Sequence, residues 1–386
     1  MDFELTEEQR GLAEAARAFA RGEMVGVARE MERSREPLSR AWKRRYAELG
    51  FLGINLPEAQ GGMGLGDLEA LLVLEQFAQV HPAVAFPIFE ASVGPIKAIE
   101  RFAPESLKAR LIPAVVAGEQ VVAVAMSEPG AGTALTDLAT KAVIRGDRVV
   151  VTGTKRWCSG GGQADGYLVY ARLDDRPGAK GIGAVYVPSG LDGLSFGPRE
   201  ELMGFRGIAT ADIHLDGVAV PLDHVVVPAG GFPKLMEAFD LERCGNATMC
   251  LGIAQAALDD TLAYVQERQQ FGKPIVDFQA VQLKLAEMAM QVEASRLLIW
   301  RAVGRAAHGF PSIQDSSMAK CFANEMVRDV TGKALQLMGG YGYHTDYPAE
   351  QRFRDAWGWG IAGGAIDIQK TNIVSALVGR RFDQRR

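Results

Sequence analysis

The sequence predicts an α+β protein in three parts: an N-terminal helical domain over residues 1–120, a middle antiparallel β-domain over 121–228 and a C-terminal four-helix-bundle domain over 229–386. Three observations predict it. Apolar residues recur at helical spacing towards both ends of the chain. Short β-branched and aromatic runs, punctuated by Gly and Pro, fill the middle. No internal repeat or low-complexity linker interrupts the order, and 386 residues suffice for two or three domains with a sizeable core.

In the first part, Thr6-Glu7-Glu8-Gln9 has the form of a capping box, with the Thr6 hydroxyl accepting from the Gln9 amide. Leu5, Leu12, Ala16 and Phe19 then follow at helical spacing. Asp67 is expected to cap a second helix whose Leu68, Leu71, Leu72 and Phe77 face inward. Between them, Gly61-Gly62-Met63-Gly64-Leu65-Gly66 lacks the strand–turn–helix frame of a dinucleotide site, so it reads as a tight loop into a helix. From Val121 the runs Val121–Met126, Val149–Val151, Tyr167–Tyr170, Gly183–Val187 and Ala211–Asp216 read as strands, with Gly146-Asp147 turning a hairpin. Helical spacing returns near Phe232. The Gln279–Trp300 segment, with Leu283, Met290, Leu297 and Ile299, and a segment from Ser317 to Met338 stopped by Gly339-Gly340, read as long bundled helices.

Bulk properties exclude several classes. Hydrophobic residues at 48% and charged residues at 23% are those of an ordinary soluble protein. A net charge of −5 with interspersed Lys and Arg argues against a nucleic-acid surface, and the short Arg380-Arg381 and Arg385-Arg386 tail reads as solvated. No uncharged apolar run approaches the roughly 18 residues of a membrane span, and no signal sequence is read ahead of the first helix. Cys158, Cys244, Cys250 and Cys321 form no framework, so a cytoplasmic location is expected. The five histidines have no metal-ligand spacing, and no metal is expected.

Several motifs occur in a telling order. They are Ser127-Glu128-Pro129-Gly130-Ala131-Gly132-Thr133, Gly153-Thr154-Lys155-Arg156-Trp157-Cys158-Ser159, Arg268-Gln269-Gln270-Phe271-Gly272-Lys273-Pro274-Ile275 with Phe278-Gln279, and Gln336-Leu337-Met338-Gly339-Gly340-Tyr341-Gly342-Tyr343. The last runs from Arg354-Asp355-Ala356 to Gly363-Gly364-Ala365-Ile366-Asp367-Ile368-Gln369-Lys370. Each is weak alone. Together, over essentially the whole chain, they resemble the acyl-CoA dehydrogenases.

That resemblance implies bound FAD. Backbone amides around Met126 and Ser127 would meet the pyrimidine edge of the flavin, with Gly132 and Thr133 beside them, Trp157 against the rings and Ser159 near their polar edge. Without these neighbours in order, Trp157 would read as β-domain core. Arg268 resembles the residue that reaches the FAD pyrophosphate of a neighbouring subunit, since a guanidinium fork suits two phosphate oxygens. Gln270, Phe271, Gln279, Gln336, Gly339 and Gly340 belong to that shared site, and the paired glycines equally suit a plain helix terminus. Ala365 stands where the family has Thr, removing one hydroxyl, with Asp367 close by. A cofactor shared between copies implies a homo-oligomer, and the family's form is a tetramer.

The same resemblance places the chemistry. The family's usual signature carries its catalytic Glu where this chain has Gly363. A Glu matching the base of the isovaleryl- and long-chain-type branches stands instead at Glu242, in Phe239-Asp240-Leu241-Glu242-Arg243. The resemblance implies that Glu242 removes the α-proton, that flavin N5 accepts the β-hydride, and that the Gly363 N–H holds the thioester oxygen. Phe89, Thr133, Phe239, Asp240, Arg243 and Gly364 are candidate substrate contacts, Arg243 near the pantetheine arm. The plain alternative for Glu242 is a solvated residue favoured at a helix start by the dipole. Glu90, near Phe86 and Phe89, is a weaker rival base that suits a structural or specificity role. The expected activity is acyl-CoA dehydrogenation in fatty acid metabolism, with electrons passed to an electron-transferring flavoprotein. Two other readings stay open: a dehydrogenase acting on an acyl-carrier-protein thioester, suggested by Trp357, Trp359 and Ile208, and a flavin-retaining scaffold protein without chemistry.

Overall fold

The Thr6 side chain accepts from the Gln9 amide while the Gln9 side chain accepts from the Thr6 N–H, and this reciprocal cap opens the first helix. The structure, a computed structural model, describes residues 4–306 and 309–382. Seven helices come first: α1 (Glu7–Phe19), α2 (Val25–Ser34), α3 (Arg40–Glu48), α4 (Asp67–Val80), α5 (Pro82–Ser92), α6 (Pro95–Phe102) and α7 (Glu105–Val116). A π-helical turn over Ala20–Met24 joins α1 to α2. Leu71, Leu72 and Phe77 of α4 are buried as expected.

Eight strands follow: β1 (Val122–Ala125), β2 (Lys141–Arg145), β3 (Arg148–Ser159), β4 (Gly166–Arg172), β5 (Ile182–Pro188), β6 (Leu194–Phe196), β7 (Thr210–Pro221) and β8 (Val225–Val227). They form one sheet in the order β6-β7-β3-β2-β4-β5-β8, with β1 running parallel along β4. The expected hairpin is there, pairing Arg145 with Arg148 across Gly146-Asp147. Val149, Val151, Tyr167, Val185, Val187, Ile213 and Leu215 make a core of the sheet's own.

The chain then returns to helix: α8 (Phe232–Glu267), α9 (Gln279–Gly304), α10 (Ile313–Met338), α11 (Pro348–Trp359) and α12 (Ile366–Leu377). The 36-residue α8 packs against α4, α9 and α10. One continuous core joins it to the N-terminal helices. The fold is thus helical, then β, then helical. Among the described residues no helix is long and apolar enough to cross a membrane, and all four cysteines are buried without disulfides.

Three expectations need correction. Asp67 is the first residue of α4 rather than its cap, because its carboxylate is taken by Asn55 Nδ2 at 2.6 Å; there it still favours the helix dipole. Helix α10 begins at Ile313, earlier than Ser317, since Ser312 caps it by accepting from the Asp315 amide at 3.1 Å. Leu283 and Met290 do not face the bundle: they are 59% and 65% exposed. Their seven-residue spacing keeps them together on the outer face of α9, while Leu285, Met288, Val292 and Ile299 fill its inner one.

Candidate active site

Helix α8 carries four of the expected residues within little more than one turn. Phe239, Asp240 and Arg243 are buried, and Glu242 lies deep but open on one side. Arg243 is committed to Asp240 by an ion pair and stands 5.2 Å from the Phe239 ring. Ser316 Oγ from α10 donates to Asp240 at 2.6 Å. Among the described residues Glu242 has no hydrogen-bond or ion-pair partner; it feels Arg243 and Lys320 only as charges. Burial outweighs both and pushes its carboxyl up to about 8.

The loop between α11 and α12 meets this helix. Gly363 and Gly364 have φ of +67° and +88°, left-handed values that cost an L side chain roughly 1–2 kcal/mol. Lys320, fully buried on α10, pins the loop: its Nζ donates to the Trp359 carbonyl at 3.2 Å, the Gly364 carbonyl at 3.0 Å and Asn324 Oδ1 at 2.9 Å. Asn246 on α8, one turn after Glu242, donates to the same Trp359 carbonyl. A side chain begun at Gly363 would start 3.8 Å from the Phe239 ring and 3.4 Å from Lys320 Cε. Gly363 and the Glu242 turn of α8 therefore border one region.

Aromatic rings wall that region. Phe86 and Phe89 of α5 stack nearly parallel with centroids 5.7 Å apart, and Phe89 leads to Trp359 and on to Phe205. Glu90 follows Phe89 and is buried; burial pushes it to about 8, Lys43 opposes this, and the Glu242 charge adds to it. Two carboxyls thus share the interior. Because each folded value lies above the unfolded one near 4.5, the folded chain binds more protons between about pH 4.5 and 8, and stability falls as pH rises through that window. Glu242→Gln is therefore expected to raise the melting temperature, by a margin that grows from pH 5 to pH 8. An identical margin at both pH values would contradict the raised carboxyl.

The second cluster is on the sheet. A bulge in β3 against β7, between Lys155 and Cys158, throws Trp157 outward with φ +60° and 52% exposure. The Arg156 guanidinium lies 4.2 Å from its ring, and the Arg156 N–H donates to the Ser127 carbonyl. Under this shelf Lys155 Nζ donates to Glu128 Oε1 at 2.7 Å and to the Met126 carbonyl at 3.1 Å. Burial alone would raise Glu128; Lys155 and the Ala139 and Thr140 amides hold it below the ordinary value. Met126 to Thr133 is thereby clamped beside Trp157, with Met126, Ser127 and Ser159 half-buried and Gly132 and Thr133 exposed.

A cleft of about 790 Å³ opens at the other end of the helical bundle. Arg268, Gln270, Gly339, Gly340 and Tyr341 are among its walls, and Arg268 lies 5.7 Å from the Tyr341 ring. A Cβ on Gly339 or Gly340 would meet nothing within 4 Å, so the backbone there is open to a ligand. Phe271 stands 94% exposed beside it, while Gln279 and Gln336 are exposed outside the cleft wall. Ala365 and Asp367 open α12. None of the cleft's walls comes from the sheet, so one chain does not bring the two expected cofactor clusters together.

Residues 6–119 match the acyl-CoA dehydrogenase N-terminal domain, 123–218 the middle domain and 229–378 the C-terminal domain. The chain belongs to the acyl-CoA dehydrogenase family. A 3-sulfinopropanoyl-CoA desulfinase from Paraburkholderia xenovorans (strain LB400) is 37% identical over 100% of this chain and 99% of its own length. An acryloyl-CoA reductase (NADH) from Anaerotignum propionicum is 36% identical over 98% and 97%. The solved butyryl-CoA dehydrogenase from Megasphaera elsdenii superposes with a TM-score of 0.94 at 32% identity, covering 98% of this chain and 100% of that one.

Within this acyl-CoA dehydrogenase fold, sequence reading passed over Lys320 and the Glu128–Lys155 pair. Lys320 had a signal. It sits at helical spacing with Ser316, Asn324 and Val327, all buried, where a solvated lysine does not belong.

Proposed function

We propose that this chain introduces a double bond between the α and β carbons of an acyl-CoA thioester, with FAD as cofactor and Glu242 as the base. The observation that carries the reading is an unpaired, partly open carboxyl on α8 bordering the same region as the Gly363 loop. A base is most effective when its proton affinity lies near working pH, and burial moves Glu242 towards that range. The α-proton of a thioester is a weak acid, so the Gly363 N–H, donating to the thioester oxygen, stabilises the charge that develops there. Arg243 is held by Asp240, which leaves it unavailable to pair with Glu242. The aromatic wall of Phe86, Phe89 and Trp359 keeps water from the acyl chain.

The residues present fit FAD. Trp157, held outward in a left-handed backbone, offers an open ring face, and the clamped 126–133 segment offers backbone amides beside it. When bound, the flavin supplies the two-electron acceptor for the hydride leaving the β-carbon. The cleft around Arg268 suits the phosphates and adenosine of a cofactor seated on a second copy. Exposed Phe271, Leu283 and Met290 support assembly of such copies, in the family's tetramer. An electron-transferring flavoprotein would be the partner that takes the electrons on.

Purified protein is expected to be yellow with stoichiometric FAD, and Arg268→Ala to weaken cofactor retention and assembly together, since it removes a bidentate phosphate contact at an interface. Tight FAD binding by a monomeric Arg268→Ala variant would refute the shared site. The reaction itself is tested by anaerobic loss of the yellow colour on adding acyl-CoAs, and by its disappearance in Glu242→Gln.

A further inference from the structure

A lysine buried without a carboxylate is costly, and Lys320 is such a lysine. It is fully buried on α10, and no carboxylate pairs with it among the described residues. Its three acceptors are neutral: the Trp359 carbonyl, the Gly364 carbonyl and Asn324 Oδ1. They use all the N–H groups of an ammonium, one more than a neutral amine offers. Stability alone would be served by an apolar side chain of similar length.

What the cation holds is a loop with no anchor of its own. Gly360 to Gly364 contains three glycines, the residue with the most backbone freedom. Ile361 is 71% exposed and Ala362 is exposed, so neither side chain fixes the loop. The Ile361 and Ala362 amides both donate to the Gly358 carbonyl. The next amide, that of Gly363, has no acceptor among the described residues. Lys320 grips the chain on both sides of that free N–H.

Each gripped carbonyl also has a second donor: Asn246 Nδ2 on Trp359 at 3.2 Å and Gln369 Nε2 on Gly364 at 3.0 Å. Asn324 Nδ2 donates to Asn246 Oδ1 at 2.9 Å, which closes a ring of hydrogen bonds through α10, α8 and the loop. A satisfied buried ring of this kind is rigid. Asn246 lies one turn from Glu242, so the ring also fixes the loop relative to that carboxyl.

We propose that Lys320 is a positioning residue, which with Asn246 and Asn324 aims the Gly363 N–H at the thioester oxygen. The inference rests on the reading of that N–H as the donor to the oxygen. Lys320 acts through the backbone it holds. With both ends of the loop fixed, the free amide is already pointed when the thioester arrives, and little reorganisation accompanies the charge that develops.

The hydrogen bond can be read in the thioester itself. A 3-thia-acyl-CoA has sulfur in place of the β-carbon and can lose no β-hydride, and Glu242→Gln holoenzyme leaves its α-proton in place. With carbon-13 in the thioester carbonyl, isotope-edited infrared difference spectra report the C=O stretch of the bound ligand. They are taken at pH 7, below the value of about 8 to which burial brings the lysine. A bond from Gly363 is expected to displace the stretch to lower frequency than in free ligand. Adding Lys320→Met should remove most of that displacement while FAD content is retained. The fold should survive, because Asn246 and Gln369 still serve the two carbonyls. In the enzyme with Glu242 intact, Lys320→Met should lower kcat for bleaching by about tenfold or more, with KM changed far less, since outright loss of an oxyanion donor costs about 10²–10³-fold.

A merely structural role would lower the melting temperature or the FAD content yet leave the stretch displaced, which overturns the proposal. If Lys320→Met fails to fold, Asn246→Ala decides. It takes one donor from the Trp359 carbonyl and opens the ring, so part of the displacement should go; an unchanged stretch overturns the proposal equally. A bound stretch that matches free ligand even with Lys320 present defeats the reading of Gly363 as donor. A displacement that both variants keep defeats the positioning role alone.

Discussion

Glu242→Gln is expected to lower the rate of anaerobic flavin bleaching by acyl-CoA by about 10²–10⁴-fold, the usual cost of removing a general base. The substitution keeps the shape of the side chain and its hydrogen-bonding capacity but removes the basic lone pair. Glu242 makes no hydrogen bond or ion pair among the described residues, so no such contact is lost with its charge. The loss should fall on kcat, with FAD content and acyl-CoA affinity retained. Bleaching at the wild-type rate would remove Glu242 from the mechanism and bring Glu90 forward as base. Adding Gly363→Glu to the variant would set a carboxylate at the family's usual position, but against a left-handed backbone and beside Lys320 Cε.

Lys155→Met should loosen the segment clamped beside Trp157. Lys155 is fully buried, and its ammonium is shared between the Glu128 carboxylate and the Met126 carbonyl. Removing one partner of a buried pair leaves an uncompensated charge and costs about 3–5 kcal/mol. The Ala139 and Thr140 amides still hold Glu128, which puts the expected loss near the lower end. The 126–133 segment would loosen beside Trp157, so a fall in melting temperature should be accompanied by release of FAD, read as a rise in free-flavin fluorescence. A variant that melts and holds flavin like the wild type would show that the pair does not clamp the shelf.

The fold was readable wherever local chemistry and tertiary packing agree. The Thr6–Gln9 capping box, the Gly146-Asp147 turn and the stop at Gly339 are local devices, and each is in its expected place. Asp67 failed as a cap because a partner 12 residues away, Asn55, claims its carboxylate. Leu283 and Met290 misled because helical spacing identifies an apolar face without saying what covers it; among the described residues both stay exposed. Contiguous motifs singled out Glu242, Gly363, Trp157 and Arg268, and the structure sets Glu242 and Gly363 at one region, Trp157 on the sheet and Arg268 in the cleft. What holds the Gly363 loop was not legible in them: Lys320 gathers carbonyls from Trp359 and Gly364. Such pairings are products of topology, and no short stretch of sequence contains both partners.

The central claim, that this chain dehydrogenates an acyl-CoA through bound flavin, is tested most directly by anaerobic titration of the yellow holoenzyme with a panel of acyl-CoAs varied in length and branching. The account predicts loss of the oxidised-flavin absorbance with at least one member, and recovery of the matching 2-enoyl-CoA in equal amount. Acyl-CoAs that bind yet leave the flavin oxidised throughout the panel, or bleaching without an enoyl product, would contradict it.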